Sequence, residues 1–229
     1  MFRRRFVAQT VSEGLPIPGF IAVEGPIGVG KTSLSRRLAE SLKAQLLLEQ
    51  ASENPFLPQF YTDPKRYALA TQLHFLCQRT QQLQPHSQAD LFGAGLVADF
   101  MFEKDRLFAQ IALDDTEFAL YDEIFRRFAP QVPVPALVLY LTAPTEVLLS
   151  RIRRRGIAYE QTICPDYLAS LGARYGEFFH TYNASPVLFI DASKSDLLGC
   201  PNHYETLLRT IGHGVNGRQE FVLETRNGS

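Results

Sequence analysis

Short, continuous apolar runs punctuate this chain, and between them apolar residues return every three or four positions. The runs are Phe20-Ile21-Ala22-Val23, Leu46-Leu47-Leu48, Gly95-Leu96-Val97-Ala98, Ala136-Leu137-Val138-Leu139-Tyr140-Leu141 and Val187-Leu188-Phe189-Ile190. Runs without polar alternation predict strands covered on both faces, as in a parallel sheet. The intervening segments predict helices. One follows from Ser33 to Leu42. A second runs from Pro64 to about Gln84, with Leu69, Leu73 and Leu76 at i, i+4 and i+7 and Pro64 near its start. The stretch from Glu103 to Phe128 reads as two helices broken near Asp114-Asp115, and further helices are expected over 145–155 and 166–182. Glu53 to Tyr61 carries Pro55 and Pro58 and is expected to be irregular. Strands alternating with helices imply a three-layer α/β/α domain around a five-stranded parallel sheet, with its ligand at the strand C-termini. There is no internal repeat and no low-complexity stretch. The expected organisation is an arm over 1–18, one domain over 19–215 and a polar, poorly patterned tail over 216–229.

Composition narrows the classes of partner. A chain of 229 residues that is 45% hydrophobic suits one domain with a sizeable core. A net charge of −1 offers no overall attraction to a nucleic-acid polymer or an anionic membrane, so a small ligand is expected. No apolar run approaches the roughly 18 residues of a membrane span. Cys77, Cys164 and Cys200 are odd in number and far apart, which reads as reduced thiols in a cytoplasmic compartment. Arg3, Arg4 and Arg5 with no acid before Glu13 faintly resemble a targeting leader; the expectation is a loose arm.

The chemistry centres on Gly25-Pro26-Ile27-Gly28-Val29-Gly30-Lys31-Thr32, which fits G-x-x-x-x-G-K-[ST] between a strand run and a helix-forming run. Glycines at 25, 28 and 30 let backbone N–H groups converge on a phosphate at the positive end of a helix. Lys31 would reach the β- and γ-phosphates of ATP, Thr32 would hold Mg²⁺, and Ser33 opens the helix beside them. Two carboxylates end strand runs early in the chain. Glu49 is a candidate general base for an acceptor hydroxyl, and Asp99 a candidate metal-holding acid; Asp191, which also ends a strand, is the alternative for the latter role. Gln72 and Arg79 are seven apart on one helix and so share a polar face that could line a pocket. His74 lies among apolar neighbours and reads as a packed side chain. Arg151, Arg153, Arg154 and Arg155 crowd one helix end, and beside a phosphate loop they read as a lid over ATP.

Phosphate loop, strand-end Glu49, the segment Tyr61-Thr62-Asp63-Pro64-Lys65-Arg66-Tyr67-Ala68-Leu69-Ala70-Thr71-Gln72 and the R-x-x-x-R-G lid together resemble the deoxynucleoside kinases, especially the bacterial deoxyadenosine/deoxyguanosine type, from about Phe20 to Ser195. The resemblance implies a P-loop kinase fold with an arginine-rich lid, usually a homodimer, that phosphorylates the 5′-OH of a deoxynucleoside. It implies that Glu49 activates the 5′-OH, and that Tyr61 and Glu160 hold the sugar 3′-OH. By the same resemblance Gln72 pairs with the base, Arg79 and Asp105 stand near it as in members accepting purines or deoxycytidine, and Arg151 and Arg155 contact phosphates. One departure stands out. The family commonly has Glu-Arg-Ser where this chain has Asp99-Phe100-Met101, so the arginine that often supports the general base is missing; a lid arginine is the expected substitute. The alternatives are a nucleoside monophosphate kinase such as thymidylate kinase, a GTP-binding switch and a catalytically dead kinase-fold subunit. Asp196-Leu197-Leu198-Gly199 fits the switch motif D-x-x-G but falls too late in the chain, without Asn-Lys-x-Asp.

Overall fold

The computed structural model describes residues 19–87 and 95–223. The expected arm, 1–18, lies outside the described residues, as does the end of the expected tail. Strand β1 (Phe20–Glu24) leads into α1 (Lys31–Leu42); β2 (Gln45–Leu47) follows, then α2 (Leu57–Thr62) and α3 (Pro64–Leu83). Next come β3 (Leu96–Ala98), α4 (Lys104–Ala112), α5 (Asp115–Phe128), β4 (Leu137–Thr142), α6 (Thr145–Arg155) and α7 (Pro165–Thr181). The order closes with β5 (Val187–Asp191), α8 (Pro201–His213) and β6 (Arg218–Glu220).

All strands are parallel, in the order β2-β3-β1-β4-β5-β6. The expected three layers are therefore present, around six strands among the described residues rather than five. The sixth, β6, lies inside the segment expected to be tail and pairs with β5 from Val187↔Arg218 to Phe189↔Glu220. Its residues are mostly solvent-facing, so no hydrophobic pattern marks it. Side chains alternate across β1 in the way strand geometry dictates. Ile21 and Val23 face the core formed with Leu34 and Leu38 of α1, Leu148 and Ile152 of α6 and Leu207 of α8. Phe20 and Ala22 face the opposite core, with Leu76 of α3, Leu107 of α4, Tyr121 of α5 and Phe179 of α7.

Two expectations near the site needed correction. The segment containing Pro58 is not irregular. Pro58 occupies the first turn of α2, where its missing N–H has no helical partner to lose, and Leu57 and Phe60 pack with Ala68 and Phe75 of α3. Nor is β2 a buried strand reaching Glu49. It is an edge strand with Gln45 and Leu46 exposed, and it ends at Leu47. Helix α3 begins as expected at Pro64, capped by Asp63, whose Oδ1 accepts the Arg66 N–H at 3.4 Å.

Chain order places the site. From β1 the chain crosses to the edge strand β2 and returns to β3 beside β1 on one side, then builds outward through β4 to β6 on the other. The loop after β1 therefore opens at the topological switch point, the crevice where parallel sheets hold ligands.

Candidate active site

The loop from Gly25 to Gly30 leaves β1 and turns into α1, so the helix's unpaired N–H groups point toward anything seated on the loop. Gly25 and Gly28 have φ of 144° and 84°. A Cβ at Gly25 would sit 2.3 Å from the Leu141 carbonyl oxygen, and one at Gly28 would sit 2.8 Å from that of Leu148. Both close approach and left-handed conformation thus exclude a side chain there. The loop is braced from beneath by Glu24, a fully buried carboxylate that sequence reading passed over. Its Oε2 accepts the Gly25 N–H at 3.1 Å and the Tyr175 hydroxyl at 3.2 Å, and its Oε1 accepts the Met101 N–H at 2.9 Å.

Lys31 folds back over the loop and donates to the carbonyls of Gly25 at 2.8 Å and Pro26 at 3.2 Å. Burial, with the nearby charge of Lys104, pushes its pKa down to about 8. Thr32 donates its hydroxyl to Asp99 Oδ2 at 2.5 Å, and Asp99 Oδ1 accepts the Glu49 N–H at 2.7 Å. Asp99 therefore joins the ends of β2 and β3 to the loop. Asp191 instead accepts from the Ser193 N–H at 2.9 Å and pairs with Lys194 at 2.9 Å, away from Thr32. Thr32 and Asp99 set two hard oxygens side by side, the donor type Mg²⁺ takes when it completes its shell with phosphate and water. Among the described residues no three His, Cys, Asp or Glu cluster as a self-sufficient metal site.

Two cavities flank this junction. A larger one of about 730 Å³ lies over the loop and α1's first turn, including Ser33, and is walled by residues 192–198 and the lid arginines. Arg151 is held there by the carbonyls of Val29 at 2.8 Å and Ala192 at 3.0 Å. The second cavity, of about 300 Å³, is walled by Glu49, Tyr61, Gln72, Arg79, Tyr159 and Glu160, with Phe60 and Phe75 as apolar surface. Gly28, Lys31, Thr32 and Arg155 line both, so the two cavities meet at these residues. Arg155 donates to Glu160 Oε2 at 3.0 and 2.5 Å. Tyr61 stacks on Tyr159 with ring centroids 5.8 Å apart.

Toward the blind end, Arg79 of α3 is 3% exposed and is shared by two carboxylates, Glu49 and Asp105. Its guanidinium carbon lies 4.7 Å from the Phe75 ring centroid and 5.9 Å from that of Phe100. Asp105 is fully buried behind it, and Arg79 Nε and Gln72 Oε1 are buried with no hydrogen-bond partner. Buried polar atoms without partners are costly, and these are donors and acceptors of the kind a nucleobase edge satisfies. His74 stands outside this set, edge-on to Phe56 at 6.3 Å.

Glu49 is the most strongly perturbed carboxylate here. Burial pushes its pKa up, but the charges of Lys104 and Arg79 outweigh that and hold it well below the usual carboxylate range. Lys104 Nζ lies 3.2 and 3.3 Å from the two Glu49 oxygens. This corrects the expectation for the missing arginine. No lid arginine reaches Glu49; Arg151 and Arg155 are engaged elsewhere, and its cations are Arg79 and Lys104. Lys104 was missed because a lysine beside Asp105 at a helix start looks like any solvated charge. Its only signal was its place five residues beyond Asp99.

Three comparisons bear on this geometry. The sequence model of the family described as Deoxynucleoside kinase matches residues 21–216. A deoxyadenosine kinase of Lactobacillus acidophilus is 32% identical over 202 residues, covering 83% of this chain and 94% of that protein. A deoxyguanosine kinase of Bacillus subtilis is 34% identical over 157 residues, 68% of this chain and 76% of that protein. Among solved structures, deoxyadenosine kinase from M. mycoides with dCMP and dCDP superposes with a TM-score of 0.73 at 24% identity, covering 85% of this chain and 99% of that one.

Proposed function

This chain belongs to the deoxynucleoside kinase family and phosphorylates a deoxynucleoside, and from that premise we propose that it transfers the γ-phosphoryl group of ATP to the 5′-OH of a purine deoxynucleoside. The observation that carries the reading is the meeting of two cavities at Lys31, Thr32 and Arg155, with a carboxylate, Glu49, on the wall of the smaller one. The larger cavity takes ATP. Its loop N–H groups and Lys31 bear on the β- and γ-phosphates, and Arg151 and Arg155 add positive charge from the lid. Thr32 and Asp99 would hold Mg²⁺, which neutralises phosphate charge when bound.

The smaller cavity takes the acceptor. Gln72 with Arg79 and Asp105 reads the base, Tyr61 and Glu160 orient the sugar, and Glu49 receives the proton of the 5′-OH. A purine acceptor is favoured by the substrates named for the relatives. A monophosphate acceptor, which would need a spare cation on the acceptor wall, is disfavoured because Arg79 and Lys104 there already answer Glu49 and Asp105. We place the enzyme in the cytoplasm as a homodimer, in keeping with its family; light scattering in solution at one chain mass would contradict the dimer. Glu49→Gln is expected to lower kcat by about 10²- to 10⁴-fold, the span of a lost general base. ATP binding and thermal unfolding show whether the variant is folded. Near-normal turnover in folded Glu49→Gln would overturn the assignment of the base.

A further inference from the structure

Lys104 opens α4, its side chain is 5% exposed, and it lines the acceptor cavity together with Lys31, Thr32 and Asp99. Neutralising Glu49 does not by itself account for it, because Arg79 already binds the same carboxylate. Arg79, however, is divided between Glu49 and Asp105. Lys104 is the cation that answers Glu49 alone.

An ammonium is a compact charge on a flexible stem with three donors, and contacts to two Glu49 oxygens leave one donor over. A buried ammonium that loses its counter-ion is strongly disfavoured. Glu49 loses its charge on accepting the acceptor's proton, at the point where the anionic phosphoryl group reaches the same wall. The released cation and the arriving anion are then neighbours.

We propose that Lys104 is a further cation of the transfer step, beside Lys31 and the lid arginines, holding Glu49 before reaction and passing its hydrogen bonds to the acceptor oxygen and the migrating phosphoryl group as the proton moves. This rests on the proposed role of Glu49. In the step the O–H bond of the 5′-hydroxyl breaks and its proton goes to Glu49. An O5′–P bond forms to the γ-phosphorus, and the bond from that phosphorus to the β–γ bridging oxygen breaks, its electron pair leaving with ADP. Lys104 gains or loses no atom. It stabilises charge.

The experiment compares Lys104→Met, Lys104→Gln and Lys104→Arg with the wild type, measuring kcat, both KM values, thermal unfolding, and calorimetric binding of ATP and deoxyadenosine. Lys104→Met is expected to lower kcat by about 10²-fold, the cost of one lost transition-state donor, with both dissociation constants within about threefold of wild type. Lys104→Gln, which keeps a donor without the charge and so guards against a folding defect in the Met variant, should lose nearly as much. Lys104→Arg should recover at least part of the loss. A kcat within about threefold of wild type in Lys104→Met or Lys104→Gln overturns the inference, as does a loss confined to ligand binding or to folding. Full turnover in these variants beside an inactive Glu49→Gln would sink the inference alone, whereas a wild type inactive on every deoxynucleoside would sink the reading of function.

Discussion

At the scale of single residues, Phe100 stands where the resemblance to the kinases leads one to expect an arginine, and its surroundings show what takes that place. It is fully buried, and Arg79 lies over it and over Phe75. Aromatic faces on two sides accommodate a guanidinium that also pairs with two carboxylates. An arginine at this position should therefore harm this chain: Phe100→Arg would put a second buried guanidinium beside Arg79, which is already shared by Glu49 and Asp105. It is expected to destabilise the protein by about 3 kcal/mol, as other uncompensated buried charges do, and to raise no kinetic constant. Chemical denaturation measures the first and steady-state kinetics the second. The departure at position 100 was legible in the sequence, but its remedy was not. Arg79 lies 21 residues before Phe100 and Lys104 four after it, and only the fold shows that both converge on Glu49.

At the scale of elements, the break between α4 and α5 was readable because two adjacent acids interrupt a helical pattern. Asp114 caps α5: its Oδ1 accepts the N–H groups of Thr116 and Glu117 at 2.9 Å each, while Glu117 reaches back to the Asp114 N–H. Asp114→Ala should cost about 1 kcal/mol in a denaturation experiment and leave kcat unchanged. The two helices are also tied by Asp122 of α5, which accepts from Arg106 of α4 at 2.6 Å and from Arg126 of its own helix. The hydrogen bond from Arg106, against the opposing effect of burial and with further help from Arg126, holds the Asp122 carboxyl below the ordinary 3.8. A depressed carboxyl adds stability above its unfolded pKa and loses it as pH falls through the folded value. Asp122→Asn is thus expected to be less stable than wild type at pH 7, by no more than about 1 kcal/mol given its exposed arginine partners. The gap should close as pH drops below 3.8. A gap that stays constant with pH would contradict the pairing. Helix α2 was not legible, since two prolines in nine residues argue for irregular chain; what overrides them is Pro58's place in the first turn and the packing of Leu57 and Phe60.

At the scale of the molecule, the sheet decides what can meet. The loop after β1, Glu49 after β2 and Asp99 after β3 stand together because β1 sits between β3 and β4, and all three lead out at the same end. That much follows from alternating apolar runs and one glycine-rich motif. The edges follow less well: β6 buries little and carries no hydrophobic pattern, while β2 is the strand its leucine run predicts but lies exposed at the sheet edge and stops short of Glu49. Cutting the chain after residue 216 removes β6 and Phe221, which packs on one core, but leaves both cavities lined as before. Such a truncation should lower the melting temperature by a few degrees while kcat holds. Ligand linkage gives a check on the donor cavity alone: ATP at about 100 times its dissociation constant should add about 2.7 kcal/mol to stability, even in Glu49→Gln. The most direct test of the whole account is a coupled ADP-release assay on the wild-type protein with each of the four deoxynucleosides and their monophosphates. Turnover is expected on deoxynucleosides, fastest with deoxyadenosine or deoxyguanosine, and on none of the monophosphates; turnover on the monophosphates alone, or on nothing, would contradict a deoxynucleoside 5′-kinase.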